Sequence, residues 1–226
     1  MNAPLAAKAF QARSISLASR YGGRTVLAIG AHPDDLELAI GGMLARLSRE
    51  SARVVMAVVS IPADFETRRA EAERAAEILG CELRILMDDE AKRIDDIKNY
   101  QLVGMLDTLV RELQPAAVLT HSANEFHRDH VTVHNACIST QRLKPFDFFH
   151  FNPTMCRPVP VQFYPRAYVD ITSTLDLKME AIAAHVSQFG ARGLEAEMYR
   201  DLARLTGRMV GVKYAEGIDV SRMLLA

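Results

Sequence analysis

Apolar residues in this chain fall into short unbroken runs that alternate with stretches of helical spacing. Thr25 to Ala31 (TVLAIGA) is a continuous apolar run and predicts a buried strand, after which Leu36, Ile40, Met43, Leu44 and Leu47 recur at the spacing of one helix face. Gly41 and Gly42 inside that helix allow close approach to the sheet at a cost in helix propensity. The same alternation continues. Arg53 to Ser60 predicts a second buried strand, a loop around Pro62 leads to a helix over Thr67 to Leu79 with Gly80 as its C-cap, and Glu82 to Met87 predicts a third strand. An acidic loop, Asp88 to Asp96, precedes a helix over Tyr100 to Leu113 and a fourth strand over Ala116 to Thr120. A further helix begins near Asp129 and runs towards Gln141.

Strands alternating with helices imply right-handed crossovers and a mostly parallel central sheet with helices on both faces. The expected class is therefore α/β, a three-layer α/β/α Rossmann-like fold. Pro145 to Pro165 breaks the rhythm, holding five of the nine prolines, and reads as an irregular segment of the kind that forms lids or substrate walls. Beyond it the pattern predicts a strand over Ala167 to Ile171, Thr172 as an N-cap, a helix over Leu175 to Ser187 and another over Gly193 to Leu205. There is no internal repeat and no linker. Residues 1–24 are expected to be an N-terminal extension and residues 25–226 a single domain.

Composition adds mainly exclusions. With 226 residues, 49% hydrophobic, 24% charged and a net charge of -1, the chain can bury one sizeable core and has no basic surface of the kind that holds nucleic acid or an anionic membrane. No apolar segment reaches the roughly 18 residues of a membrane span. Cys81, Cys137 and Cys156 are far apart without CxxC spacing, so reduced thiols in a cytoplasmic protein are expected rather than disulfides or a thiolate metal site. A small-molecule substrate fits this profile better than a macromolecular partner.

The chemistry concentrates where strands hand over to helices. His32, Pro33, Asp34 and Asp35 follow the first strand, and a polar loop containing His127, Asp129 and His130 follows the fourth. In an open parallel sheet both lie at the carboxyl edge, where such folds bind ligands. A hydrolytic zinc site needs three nitrogen or carboxylate ligands and an open position for water. His32, Asp35 and His130 supply that set, and Asp34 remains as an adjacent carboxylate able to serve as general base. Taken singly, HPDD reads as no more than a helix cap. A second histidine and carboxylate cluster at the equivalent edge of another strand favours the metal reading.

AHPDDLE after a strand, with an HxDH cluster about a hundred residues on, resembles the PIG-L/LmbE family of metal-dependent N-deacetylases. Arg68-x-x-Glu71 followed by AAEILG, the stretch from Val169 to Gln188 and YAEG from Tyr214 to Gly217 extend the resemblance over most of the chain after residue 24. It implies zinc on His32, Asp35 and His130 and general-base duty for Asp34, in agreement with the reading from the residues. It further implies that His127 stabilises the tetrahedral intermediate, that Asp129 orients His127 and that Arg68 helps to hold the substrate. Where the family usually has Tyr-His-Pro-Asp-His, this chain has Phe126, His127, Arg128, Asp129 and His130, so a hydroxyl and a rigid proline are missing.

The implied activity is removal of an N-acetyl group from a small amino-sugar substrate such as an N-acetylglucosaminyl compound, with assembly into a homo-oligomer as in relatives. Histidine and carboxylate donors also accept iron, manganese or cobalt as Fe2+, Mn2+ or Co2+. Two alternatives stand beside this: a non-catalytic metal- or sugar-binding protein, and a Rossmann-type nucleotide-binding module. Against the second, GAHPDD lacks the GxGxxG spacing, and its two carboxylates would repel phosphate. His185, beside Ile182, reads as a packing residue outside the metal set, and His121, His134 and His150 carry no assignment.

Overall fold

The computed structural model describes residues 15–88, 90–154, 162–190 and 196–224. The chain order is α1 (Leu17–Tyr21), β1 (Thr25–Gly30), α2 (Asp35–Arg49), β2 (Arg53–Val58), α3 (Phe65–Leu79), β3 (Glu82–Ile85), α4 (Asn99–Leu113), β4 (Ala117–His121) and α5 (Arg128–Thr140). It continues with β5 (Asp147–Phe151), β6 (Ala167–Asp170), α6 (Leu175–Ala184), α7 (Val186–Phe189), α8 (Glu197–Val210) and β7 (Ala215–Arg222). The seven strands form one sheet in the order β3-β2-β1-β4-β5-β7-β6. β1 pairs in parallel with both β2 and β4, and β4 in parallel with β5, while β7 runs antiparallel to β5 and β6. Strand order therefore reverses between β1 and β4, which opens a crevice at their carboxyl ends.

β1 shows why the central strands read as unbroken apolar runs. Val26 and Ala28 enter the core beneath α2, α3 and α6, and Leu27 and Ile29 enter the core beneath α4 and α5. Both faces are covered, so no polar alternation is left in the sequence. The α/β class with a mostly parallel sheet and helices on both sides is the class expected from the sequence.

α2 is bent at Ile40 (φ -137°, ψ 16°), and an ion pair is inserted into its ladder. The Glu216 carboxylate accepts the amide hydrogens of Gly42 (2.9 Å) and Met43 (2.7 Å), while Lys178 Nζ donates to the Leu38 carbonyl (2.8 Å) and pairs with Glu216. Three backbone groups at the bend are thus satisfied by side chains from elsewhere in the fold. Gly42 permits a close approach, although to Ile171 rather than to a strand: a Cβ there would lie 2.8 Å from the Ile171 side chain.

The segment from Pro145 to Pro165, expected to be irregular, contains the fully buried strand β5. Its polar residues hid it, and each of them is satisfied: Asp147 accepts from Arg20 (2.7 Å) and the Tyr21 hydroxyl (2.8 Å), and His150 Nε2 meets Ser221 Oγ at 2.7 Å. Pro158, Pro160, Cys156, Gly193 and Asp89 lie outside the described residues. The helix expected over Leu175 to Ser187 breaks at His185, whose ring turns inward to Glu37 (3.0 Å), while the Ser187 amide and hydroxyl both donate to Glu71 (2.7 Å each). Thr174, not Thr172, occupies the N-cap position of α6. The last predicted helix is α8, which runs on to Val210.

Candidate metal centre

The turn after β1 is closed by its own side chain: the His32 amide donates to Asp35 Oδ2 (2.8 Å), and α2 starts with Leu38 N–H on the Asp34 carbonyl (3.0 Å). Asp34 itself sits at φ 93°, in the left-handed half of backbone space that side chains other than glycine rarely adopt. Holding it there costs of order 1–3 kcal/mol, borne by the surrounding bonds. Arg68 supplies one of them, donating from Nη2 to the Pro33 carbonyl (3.0 Å), with its guanidinium 4.0 Å from Asp34 Oδ1. Arg68, expected to help hold the substrate, is 7% exposed and braces the turn.

Five of the residues expected at the site meet at this edge. His130 Nε2 lies 3.2 Å from Asp35 Oδ1, and His32 Nδ1 lies 3.9 Å from Asp35 Oδ2. The His127 ring stands 5.2 Å from that of His32 and 4.7 Å from that of His130, centroid to centroid. Asp129 differs from expectation. Its carboxylate accepts from His32 Nε2 (3.0 Å) rather than from His127, while its amide donates to His127 Nδ1 (3.2 Å) as His127 caps α5. Asp129 thus engages both rings, His127 through its amide and His32 through its carboxylate, with His32 Nδ1 lying toward Asp35.

His121, unassigned from the sequence, is fully buried 3.3 Å from Asp35 Oδ2 and stacks on His130 at 4.0 Å. Two sets of side chains bring donor atoms within 4.8 Å of one another: His32, His127 and His130, and Asp35, His121 and His130. Prior engagements distinguish the candidates. His121 Nε2 already accepts the Ala31 amide hydrogen (2.9 Å), and His127 Nδ1 accepts that of Asp129. His130 Nε2 faces Asp35 Oδ1, and His32 Nδ1 lies toward Asp35 Oδ2. Ligands about 2.0–2.1 Å from a tetrahedral ion stand about 3.3 Å apart, close to the 3.2 Å between His130 and Asp35. The Asp35–His130 spacing thus suits a shared divalent cation, and His130 is common to both sets. His185 takes no part in either set.

Electrostatics point the same way. Burial opposes charge on His130, but Asp35 and Glu125 outweigh it and hold its pKa up to about 10, so the space between His130 and Asp35 calls for a proton or a cation. Burial likewise works against the Asp35 carboxylate, yet His130 and His121 keep it well below the usual range. Asp34 moves in the opposite direction, raised to about 7 by burial and then by the neighbouring Asp35 charge. Two adjacent carboxylates are therefore pushed apart, one kept ionised and one poised near neutrality. His127 is lowered by burial and by the other imidazoles, and His121 is lowered to about 4 by burial and by His130.

A model of the PIG-L family, described as GlcNAc-PI de-N-acetylase, matches residues 27–140, just over half of the chain and inclusive of both edge loops. The chain belongs to the PIG-L family. It is 28% identical over 185 residues to the uncharacterized deacetylase YaiS of Escherichia coli K12, covering 77% of this chain and 97% of that protein. It is 27% identical to the diacetylchitobiose deacetylase of Thermococcus kodakarensis, covering 86% of this chain and 82% of that protein. Among solved structures, the conserved protein TT1542 of Thermus thermophilus superposes with a TM-score of 0.75 at 25% identity over 90% of this chain and 97% of that one. N,N'-diacetylchitobiose deacetylase of Pyrococcus horikoshii superposes with a TM-score of 0.73 at 22% identity, covering 87% of this chain and 83% of that one. GalB of Pseudomonas putida, a 4-carboxy-2-hydroxymuconate hydratase, does so with 0.74 at 22% identity, covering 90% and 98%. At that identity the likeness concerns the backbone alone, and a PIG-L backbone by itself does not choose the reaction.

Proposed function

We propose that this PIG-L protein is a metal-dependent N-deacetylase that hydrolyses the acetamide of a small amino-sugar compound, releasing acetate and a free amine. One observation carries the reading: Asp34, held at φ 93° in its turn, directly precedes Asp35 at the edge where His32, Asp35 and His130 gather, and belongs to neither donor set. A divalent cation on those three residues, zinc foremost, would polarise the amide carbonyl and make water acidic enough to react near neutral pH.

Asp34 takes a proton from the attacking water, for which a pKa near 7 is well matched. The same carboxyl group can return that proton to the departing nitrogen, so that one water is consumed for each acetate and amine formed. Because His127 Nδ1 accepts the Asp129 amide hydrogen, the neutral ring carries its proton on Nε2. That N–H donates to the carbonyl oxygen as negative charge gathers there, an interaction worth about 3 kcal/mol when well aimed. Asp129 fixes His32, and Arg68 fixes the turn that carries Asp34. The relation to the diacetylchitobiose deacetylase of Thermococcus kodakarensis supports an amino-sugar substrate. Cys81 and Cys137 are free thiols, which supports a cytoplasmic setting. No helix among the described residues is long and apolar enough to cross a membrane.

Metal analysis combined with acetate release from N-acetylglucosamine and N,N'-diacetylchitobiose tests the proposal. Bound zinc with acetate and amine released in equal amounts is the expected result. Zinc without acetate identifies a non-catalytic binder, and a chain that takes up no metal returns the nucleotide-binding alternative.

A further inference from the structure

Glu125 lies in the β4–α5 loop, where nothing in the sequence singles it out, yet its side chain is fully enclosed. Oε2 lies 3.4 Å from His130 Nδ1, an ion-pair contact, and both atoms are buried without a hydrogen-bond partner. The other oxygen, Oε1, accepts the Phe126 amide hydrogen (2.7 Å) and the Thr154 hydroxyl. Thr154 is held in turn by its amide on Asn152 Oδ1 (2.7 Å), and Asn152 Nδ2 donates to the Asn124 carbonyl (3.0 Å). The carboxylate is thus fixed from both flanks, by its own loop and by the segment after β5.

We infer that Glu125 is a positioning residue for the metal centre, accepting the Nδ1 hydrogen of His130 so that Nε2 faces the ion as a lone pair. This inference rests on the proposed role of His130 as a ligand. An imidazole can present only one lone pair while neutral, and its second nitrogen must give its hydrogen to an acceptor. An enclosed carboxylate with no other use for Oε2 is such an acceptor. It also makes the imidazole a stronger donor to the metal. Asp129 does the same for His32, so each imidazole of the centre is backed by its own carboxylate, on Nε2 in one case and on Nδ1 in the other. The Thr154 bond further ties the orientation of His130 to the segment that follows β5.

Zinc affinity of the full chain, measured by competition with a chromogenic chelator, tests the inference without reference to turnover. Glu125→Ala should weaken zinc binding by about 10- to 100-fold while the far-UV circular dichroism is unchanged. Glu125→Gln, whose amide oxygen still accepts the Nδ1 hydrogen but without charge, should fall between that variant and the wild type. In cobalt-loaded protein both variants should shift the visible absorption bands, a change that a purely structural role would not produce. If Glu125→Ala does not fold, the isosteric Gln variant decides the matter alone. Wild-type zinc affinity and an unshifted cobalt spectrum in Glu125→Gln would overturn the inference and leave the deacetylase reading intact. A wild-type chain that binds no zinc would overturn both.

Discussion

Two loops meet at the candidate metal centre, and they are built differently. The turn after β1 is buried, with His32 8% and Asp35 5% exposed, its backbone is forced into the left-handed region at Asp34, and its polar groups are engaged by Asp129, His130, Arg68 and its own amides. The loop after β4 hides the Glu125 side chain and His130 but leaves Phe126, His127 and Arg128 on the outside, Phe126 at 60%. One loop holds the chemistry rigid. The other supplies a rim that can change without disturbing it, and this chain departs from the usual family pattern at two rim positions, Phe126 and Arg128.

The largest effect is expected where the two loops share a group. Asp35→Ala removes the carboxylate that faces His32, His121 and His130, and zinc content should fall to background with turnover undetectable; zinc retained at the wild-type level would break the contrast outright. Asp34→Asn should keep the metal and lower the rate of acetate release by about 10³-fold, the usual scale for loss of a general base. His127→Ala probes the rim at its most chemical point: a loss of roughly 10²-fold in kcat with unchanged zinc affinity is expected, on the scale of one oxyanion donor. The smallest effect belongs to Phe126→Tyr, which restores the common family residue. Stability should change by no more than about 0.5 kcal/mol, with any kinetic change confined to KM. A Phe126 variant that lost metal would show that the rim is not separable from the centre.

The parallel part of the fold was legible because β1, β2 and β4 are covered on both faces and so carry a continuous apolar signature. β5 escaped because Asp147 and His150 interrupt that signature, and their partners, Arg20, Tyr21 and Ser221, are distant in sequence. β7 (AEGIDVSR) is half-exposed and never forms an apolar run. At the site, the residues proposed as ligands and base could be read from the two edge loops. What the ligands lean on could not be. Asp129 is two residues from His127 in the chain and far from His32, so sequence proximity suggests one imidazole where the fold supplies two: its amide meets His127, and its carboxylate meets His32 because two strands bring their ends together. Glu125 and His121 were missed for the same reason, since their only marks are contacts made after folding.

The bend in α2 bears on how this protein can be divided. The family model ends at residue 140, and both edge loops lie inside it, yet the Leu38 carbonyl and the Gly42 and Met43 amides find their partners on Lys178 and Glu216. Cutting the chain at that boundary would strand three buried backbone groups at about 1–3 kcal/mol each. Against a total stability of about 5–15 kcal/mol for a typical domain, this is a large share. The helix that presents Asp35 is therefore completed by the last third of the chain, and the edge that carries the candidate centre cannot be swapped or transplanted without it.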